Sequence, residues 1–245
     1  KSNFNPKPDS DDIEAVKTVA KNNRNIVAIL VEPIQGEGGV HVPKPGYLSA
    51  LRDLCDQHDW LLMLDEVQTG NGRTGKYFAF QHEAIKPDVL TTAKGLGNGV
   101  PIGACLVAKH GNHVFGPGNH GSTYGGNPLA CAAGNAVFDA INHDNLMQNA
   151  HDRGEQIKAG LTERLGHLPE FVEVRGQGLM IGCQFNCDIA PLAKLASDNQ
   201  LLLNVNGGGK VIRLLPPLII SEAETEQLIN TVATLVIQLL ADTTE

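Results

Sequence analysis

The stretch Val89-Leu-Thr-Thr-Ala-Lys94-Gly-Leu-Gly-Asn-Gly99 places a single lysine between a short apolar run and a glycine-rich loop. The apolar run is typical of a buried strand, so Lys94 is predicted to lie where that strand ends. Ligands of open α/β sheets bind at the carboxyl ends of the strands, and glycines let the backbone pass close to a ligand. The same pattern also fits a lysine that merely follows a strand, and the neighbouring segments distinguish the two possibilities.

Two apolar runs upstream, residues 26–31 and 60–64, are also predicted to be strands, and acids follow them at Glu32 and Asp65. A segment with the apolar periodicity of a helix separates the two runs, which predicts a βαβ unit with parallel strands. Both acids and Lys94 are therefore expected at one edge of one sheet. This convergence favours a functional site over an incidental lysine.

Two long glycine-rich loops, residues 67–75 and 118–126, are too irregular to be helix or strand. Loops of this length without secondary structure of their own are often functional. The second loop carries hydroxyl groups and precedes a helix that Asn127 can cap and Pro128 can open. A turn of this kind before a helix is typical of an anion site, because its backbone N–H groups point outward.

The character of the chain changes near residue 146. A long amphipathic helix, several short strands and a final helix follow, which together predict an α+β unit. The predicted organisation is therefore residues 1–145 as part of an α/β domain with a mostly parallel sheet, and residues 146–245 as a small α+β domain.

Composition narrows the possible functions. The net charge of −8 argues against a nucleic-acid partner, and no apolar run reaches the roughly 18 residues that a membrane span needs. The five cysteines lack the CxxC spacing of zinc and redox motifs, so no metal site is predicted. We interpret these cysteines as reduced core thiols of a cytoplasmic protein.

A lysine, an aspartate at a neighbouring strand end and a hydroxyl-bearing loop are what pyridoxal 5'-phosphate requires. The lysine amine binds the aldehyde and moves the substrate proton, and the aspartate keeps the ring nitrogen protonated so that the ring accepts electrons. Loop N–H and hydroxyl groups hold the phosphate. The sequence therefore predicts a pyridoxal phosphate enzyme.

Five ordered motifs between residues 31 and 129 closely resemble those of the class III aminotransferases, and the resemblance covers essentially the whole chain. The motifs are Val31-Glu-Pro-Ile-Gln-Gly-Glu-Gly-Gly39, Leu64-Asp-Glu-Val-Gln-Thr-Gly70, Gly72-Arg-Thr-Gly75, Thr92-Ala-Lys-Gly95 and His120-Gly-Ser-Thr-Tyr-Gly-Gly-Asn-Pro-Leu129. The resemblance implies a fold-type-I pyridoxal-phosphate-dependent transferase. Residues 1–145 would be the C-terminal part of its large domain, and residues 146–245 its small C-terminal domain. The resemblance also implies a homodimer with sites shared between the subunits.

The same resemblance implies roles for single residues in the first part of the chain. Lys94 would be the catalytic lysine that forms the Schiff base, and Asp65 would pair with the pyridine nitrogen. Val67 would pack on one face of the ring, and Gln68 would hydrogen-bond to its phenolic oxygen.

Four further residues match motif positions that bind substrate or phosphate. Thr123 would reach the phosphate of the partner subunit's cofactor, with Ser122 beside it near the substrate. Glu37 and Arg213 match a pair that acts as a substrate switch in this family, although spacing alone does not pair them. Glu37 would neutralise Arg213 while an amine donor is bound, and Arg213 would bind the carboxylate of glutamate or 2-oxoglutarate.

The expected reaction moves the δ-amino group of N2-acetyl-L-ornithine to 2-oxoglutarate, as a step of arginine biosynthesis. Alternatives within the class act on succinylornithine, ornithine, succinyldiaminopimelate or 4-aminobutyrate. A pyridoxal phosphate decarboxylase or racemase would keep Lys94 and Asp65 but have less need of the switch. An inert fragment or a dimerisation module is the non-enzymatic alternative.

The resemblance also predicts what this chain lacks. Class III aminotransferases carry an upstream Gly-Thr phosphate loop, an aromatic residue that covers the other ring face, and an arginine for the α-carboxylate. No candidate for any of these precedes Ile26. We therefore expect the chain to be a C-terminal piece of a longer enzyme, whose own activity depends on the missing part of the site.

Overall fold

The computed structural model describes residues 12–109 and 111–242. The described chain divides into two compact units: residues 12–34, 43–71 and 78–140 form the first, and residues 35–42, 72–77 and 141–242 form the second. Two short segments, residues 35–42 and 72–77, therefore belong to the second unit although the residues around them belong to the first. The assignment of 1–145 and 146–245 to a large and a small domain stays a prediction.

The first unit is built on a four-stranded sheet in the order β1-β2-β3-β4. β1, β2 and β3 are parallel, and β4 runs antiparallel to β3. The predicted βαβ unit is thus confirmed, with a helix in the connection between β1 and β2. The four strands are β1 (Ala28–Val31), β2 (Leu61–Asp65), β3 (Val89–Thr92) and β4 (Ala104–Val107).

Three helices belong to this part of the chain: α1 (Ile13–Asn22), α2 (Tyr47–His58) and α3 (Pro128–His143). The apolar side of α2 includes Leu51, which shares a buried cluster with Leu62 and Leu64 of β2. The helix α3 begins after Asn127, whose Oδ1 accepts a hydrogen bond of 3.0 Å from the backbone N–H of Ala130. Asn127 is therefore the N-terminal cap that the sequence predicts.

The second unit contains an antiparallel sheet in the order β5-β6-β8-β7. Alternate residues of β6 share a buried cluster with α4 and α6. These two helices approach closely at Gly160, where a Cβ atom would lie 2.8 Å from the side chain of Ile229. The elements are α4 (Leu146–Leu165), β5 (Phe171–Gln177), β6 (Met180–Phe185), α5 (Leu192–Asp198), β7 (Asn204–Asn206), β8 (Val211–Leu214) and α6 (Glu222–Asp242).

The predicted fold class, α/β with a mostly parallel sheet followed by an α+β part, is confirmed by these two sheets. One strand is displaced: the apolar run at residues 201–205 predicts a strand, but β7 covers only Asn204–Asn206. Leu202 is 91% exposed, so the run does not mark a buried strand. No helix in the part of the chain that the structure describes is long and apolar enough to cross a membrane.

The interpretation of the cysteines as core thiols is correct for two of them and wrong for two others. Cys55 and Cys183 are fully buried, and burial raises the pKa of Cys55 to about 11 and that of Cys183 to about 12. Cys105 and Cys131 are exposed. Their apolar neighbours misled the prediction. Cys105 lies on β4, which is at the edge of its sheet and exposes most of its residues, and Cys131 lies at an exposed position of α3.

We expect the exposed and the buried thiols to react at different rates in the folded chain. A disulfide reagent attacks the thiolate, so Cys105 and Cys131 should react at pH 8 while Cys55 and Cys183 react only after denaturation. Peptide mapping of the labelled chain over time measures the order. Cys105→Ser should remove one fast equivalent, and labelling of Cys183 as fast as Cys131 would contradict the packing of the second unit.

Candidate active site

The parallel register of the first sheet sets the position of the predicted acids and of the lysine. Val31 of β1 lies opposite Leu64 of β2, so Glu32 follows one strand end just as Asp65 completes the next. Asp65 itself lies opposite Thr91 of β3, three residues before Lys94. The three predicted residues therefore come to the same edge of the sheet, as the sequence indicates.

The carboxylate of Asp65 is fixed by its own turn and by the neighbouring strand. Its Oδ1 accepts a hydrogen bond of 3.0 Å from the backbone N–H of Val67 and one of 3.3 Å from the hydroxyl of Thr91. Val67 and Gln68 begin the turn that follows β2, and both are half-buried. The N–H group of Val67 thus helps to fix the carboxylate of Asp65. This contact is separate from the predicted role of the Val67 side chain as an apolar contact of the ring.

Glu66 is the most deeply buried carboxylate in this region, and its side chain organises the turn. Its oxygens accept hydrogen bonds from the hydroxyl of Thr69 at 2.7 Å and from the N–H groups of Ala79 and Phe80 at 2.8 and 2.9 Å. Burial raises the pKa of Glu66, against the opposing effect of these donors, and the charge of Asp65 raises it further. Glu66 therefore ties the residues after Asp65 to the segment 79–82.

Lys94 lies in a strained turn directly after β3. Its φ angle of +46° is in the left-handed region, which costs a residue with a side chain about 1–2 kcal/mol. Such strain persists only where the surroundings hold the backbone, and it is concentrated at functional sites. The turn closes at Gly97, where a Cβ atom would lie 2.1 Å from the carbonyl oxygen of Val100. Only glycine fits at that position.

Asn71 holds the strand end that precedes the lysine. Its side-chain Nδ2 donates to the hydroxyl of Thr92 at 2.9 Å and to the carbonyl oxygen of Ala93 at 3.2 Å. A carbonyl only accepts, so the amide orientation is fixed. Asn71 is 3% exposed, and its Oδ1 is a buried acceptor with no partner among the described residues. Asn71 is thus a clamp on the turn that carries Lys94.

Ser122 and Thr123 lie on the exposed loop before α3. The hydroxyl oxygen of Ser122 accepts a hydrogen bond of 3.0 Å from the N–H of Gly125, which shapes the turn. No hydrogen bond or ion pair of the described residues joins Ser122 or Thr123 to Lys94 or Asp65. A role for Thr123 at the cofactor of a partner subunit therefore remains a prediction.

In the second unit, the structure pairs Glu37 with Arg213. A guanidinium NH group of Arg213 donates to a carboxylate oxygen of Glu37, although 176 residues separate the two in sequence. The side chain of Arg213 is 12% exposed and that of Glu37 is 72% exposed. The largely buried guanidinium of Arg213 is thus paired with a carboxylate, that of Glu37, which is mostly exposed to solvent. This geometry is what a charge switch requires.

Arg73 fixes the chain just after β8. Its guanidinium donates to the carbonyl oxygens of Leu179 and Pro216. Burial lowers the pKa of Arg73 to about 10, since the cation is removed from water. Pro216 lies three residues after Arg213, so Arg73 stabilises the segment that follows Arg213.

Sequence reasoning missed the supporting residues Glu66, Asn71, Arg73 and Arg175. Two of them, Glu66 and Arg73, lie in motifs that were recognised as wholes, and Asn71 lies between those two motifs in the glycine-rich loop at 67–75. Their most distant partners lie 14 to 143 residues away, which no local pattern reveals.

The profile of the family Aminotransferase class-III matches residues 4–236. The chain therefore belongs to the class III aminotransferase family, whose members depend on pyridoxal phosphate.

Individual relatives agree with the family. The chain is 51% identical over 226 residues to the acetylornithine aminotransferase of Nitrosomonas europaea, which covers 92% of the chain and 57% of the relative. It is 47% identical over 231 residues to acetylornithine aminotransferase 1 of Bordetella bronchiseptica, which covers 94% of the chain and 58% of that relative. The chain thus spans less than two thirds of the length of these relatives.

Solved structures agree with the fold. An ornithine aminotransferase from Toxoplasma gondii superposes with a TM-score of 0.89 at 36% identity, over 95% of the chain and 56% of that protein. The acetylornithine aminotransferase of Elizabethkingia anophelis gives a TM-score of 0.88 at 36% identity, over 93% of the chain and 58% of that protein. A second structure of the Toxoplasma enzyme is described with partial occupancy of pyridoxal phosphate at its active site.

The residues of this chain fit pyridoxal phosphate by the chemistry of their donors. Lys94 supplies an exposed primary amine, and Asp65 supplies a carboxylate at the adjoining strand end. The hydroxyl groups of Ser122 and Thr123 lie on an exposed loop, and hydroxyl groups are able to donate hydrogen bonds to a phosphate. An aldehyde, a basic ring nitrogen and a phosphate are the groups that this set can bind.

The clamp formed by Asn71 predicts a clear effect of Asn71→Asp. The substitution replaces the donor that faces the carbonyl of Ala93 with a carboxylate oxygen. We expect it to lower the free energy of unfolding by about 1–3 kcal/mol at pH 7, measured by urea denaturation. The loss should shrink at pH 4, where a protonated carboxyl again donates.

The matched control is Asn25→Asp, which makes the same change of charge at an exposed position. It should alter the free energy of unfolding by no more than about 0.5 kcal/mol. Equal effects of the two substitutions would show that the amide of Asn71 does not hold the turn.

Proposed function

We propose that the protein containing this chain is an aminotransferase that moves the δ-amino group of N2-acetyl-L-ornithine to 2-oxoglutarate. The observation that carries this proposal is the register of β2 and β3, which brings Asp65 and the strained turn of Lys94 to one sheet edge. An acid and a primary amine in this relation are the minimum equipment for pyridoxal phosphate chemistry. Membership of the class III family supports the same reaction type.

Each of the two residues has a defined task. When bound, pyridoxal phosphate supplies an aldehyde that condenses with amines and a ring that accepts the electron pair of a broken C–H bond. The Nζ of Lys94 holds the cofactor between turnovers and moves the proton of the amino-bearing carbon. Asp65 Oδ1 is held by Val67 and Thr91, and we assign Oδ2 to the ring nitrogen, where its charge retains a proton.

Further positions complete the proposed cofactor site. Val67 and Gln68 are assigned to the ring face and to the phenolic oxygen, and Thr123 to the phosphate of the partner subunit's cofactor. Ser122 lies beside Thr123 and is assigned to the substrate. These assignments make the active protein a homodimer, which we place in the cytoplasm.

The pair of Glu37 and Arg213 supports a reaction with two chemically different substrates. Without a negative partner, the largely buried guanidinium would repel the amine donor, and Glu37 supplies that partner. A carboxylate of glutamate or 2-oxoglutarate can displace Glu37, because the Glu37 side chain is mostly in solvent and an arginine fork binds carboxylates in bidentate fashion.

The relatives support N-acetylornithine as the amine donor, because the chain is 51% identical to a protein named acetylornithine aminotransferase. Ornithine is the second candidate, since ornithine aminotransferases superpose equally well. Half-reactions with the two donors compare them directly. A value of kcat/KM for ornithine above that for N-acetylornithine would overturn the first assignment.

The first test asks whether Lys94 binds the cofactor. Pyridoxal phosphate is added to this chain and to the complete protein, and an absorbance band near the visible is recorded before borohydride reduction and peptide mapping. We expect the label on Lys94, and both band and label should be lost in Lys94→Ala.

Exposed lysines also react with aldehydes, so Lys86→Ala serves as the matched control in the same unit. It should keep the band and the label at Lys94. An unchanged band in Lys94→Ala of the complete protein would exclude the proposed role. A band in the complete protein but not in this chain would assign the difference to residues that the complete protein has in addition to this chain.

The switch predicts opposite substrate preferences for two variants of the complete protein. Arg213→Lys removes the fork, so KM for glutamate and 2-oxoglutarate should rise about tenfold or more, with a smaller effect on N-acetylornithine. Glu37→Gln leaves the guanidinium unneutralised, so kcat/KM should fall chiefly for N-acetylornithine. Single-turnover half-reactions measure both, and parallel losses with both substrates would contradict the switch.

A further inference from the structure

The loop that carries Glu37 adopts a conformation that its own sequence does not favour. Val40 has a φ angle of +54°, a genuine outlier for a β-branched residue, and it is fully buried. A short bridge closes the loop, with hydrogen bonds of 3.1 and 3.0 Å between the backbones of Gln35 and His41. Strain of this kind persists only where other residues hold it in place.

Arg175 of β5 supplies that support. Its Nε donates to the carbonyl oxygen of Val40 at 2.8 Å, and one of its terminal nitrogens donates to the carbonyl oxygen of Gly39 at 2.6 Å. Its other terminal nitrogen is held by the side chains of Glu173 and Gln184. The guanidinium therefore clasps two successive carbonyl groups with a planar fork that its own neighbours orient.

The sheet register explains how one loop meets two arginines. Arg175 of β5 lies opposite Gly182 of β6, and Gly182 lies opposite Arg213 of β8. Residues that lie opposite each other on neighbouring strands point to the same face of the sheet. Arg175 and Arg213 therefore flank Gly182, which has no side chain, on one face. A Cβ atom at Gly182 would lie 3.0 Å from Cβ of Val40 and 3.3 Å from the carbonyl oxygen of Gly39. The loop rests in this gap.

From these contacts we infer that Arg175 is a positioning residue of the substrate switch. One arginine, Arg175, binds the backbone of the loop at Gly39 and Val40, and the other, Arg213, binds the Glu37 carboxylate on the same loop. Arg175 thereby sets how readily Glu37 meets or leaves Arg213, and so sets the balance between amine donors and dicarboxylates. This inference rests on the proposed function of the Glu37–Arg213 pair.

Hydrogen exchange in this chain tests the seating of the loop without cofactor or substrate. Arg175→Lys keeps the charge but cannot serve both carbonyls, so amides of residues 35–42 should exchange about tenfold faster. Gly182→Ala should have the same effect by displacing the loop. The control Arg164→Lys changes an arginine of α4 that binds Glu226 and Asn230, and it should leave these amides unchanged.

Half-reactions of the complete protein test the role in the switch. Arg175→Lys should lower kcat/KM for N-acetylornithine about tenfold relative to kcat/KM for glutamate. In the Glu37→Gln background, the same substitution should leave that ratio unchanged, because the group that Arg175 positions is gone. A residue with a merely structural role would lower both half-reactions alike in both backgrounds.

The outcomes separate the two hypotheses. If Glu37→Gln shifts the ratio and Arg175→Lys does not, the switch stands and the role of Arg175 is overturned. If Glu37→Gln leaves the ratio unchanged, the proposed switch itself fails. Unchanged exchange of residues 35–42 in both Arg175→Lys and Gly182→Ala would overturn the seating of the loop, whatever the kinetics show.

Discussion

The parallel pairing of β1, β2 and β3 is the constraint on which the first unit depends. Parallel strands all end at the same edge, so each strand that joins the sheet adds its following residue to one place. An acid from β2 and an amine after β3 meet there through backbone hydrogen bonds alone. The side chains that surround them then refine an arrangement that the strand order already imposes.

Buried polar side chains then hold the backbone in place at this edge of the sheet. Glu66 ties the turn after Asp65 to residues 79–82. Asn71, on the loop that follows β2, ties that loop to the strand end before Lys94. Both groups are deeply buried, where an unsatisfied partner is costly. Asn71 thus holds the strand end that leads into the left-handed conformation of Lys94, and Glu66 holds the turn that follows Asp65.

In the second unit a polar side chain, the guanidinium of Arg175, likewise holds a strained backbone. The proposed switch requires an anion that can leave an arginine, so the anion must be on an exposed side chain while its backbone stays fixed. Arg175 and the gap at Gly182 fix the backbone at Gly39 and Val40, and the Glu37 side chain remains mostly in solvent.

The sequence predicts the elements of this fold better than it predicts their supports. The helix expected at 146–165 is α4, because its amphipathic period extends over five turns and can be read from the local sequence. The run at 201–205 and the edge-strand cysteine Cys105 were misjudged, since apolar character does not reveal whether a neighbouring element covers a residue. Lys94 and Asp65 could be placed at strand ends because their signals are local: a charged residue where an apolar run stops.

Supports such as Asn71 and Arg175 leave no such local signal, for a physical reason. Their value lies in meeting backbone carbonyls, and every residue carries a carbonyl, so the partner's sequence contains no trace of the contact. Only the strain that they hold leaves a mark, at Lys94 and at Val40, and that mark is an angle rather than a residue type. Where a side chain with a strongly disfavoured φ angle lies next to a recognised motif, the donors that bind its carbonyl group are therefore the first candidates for positioning residues.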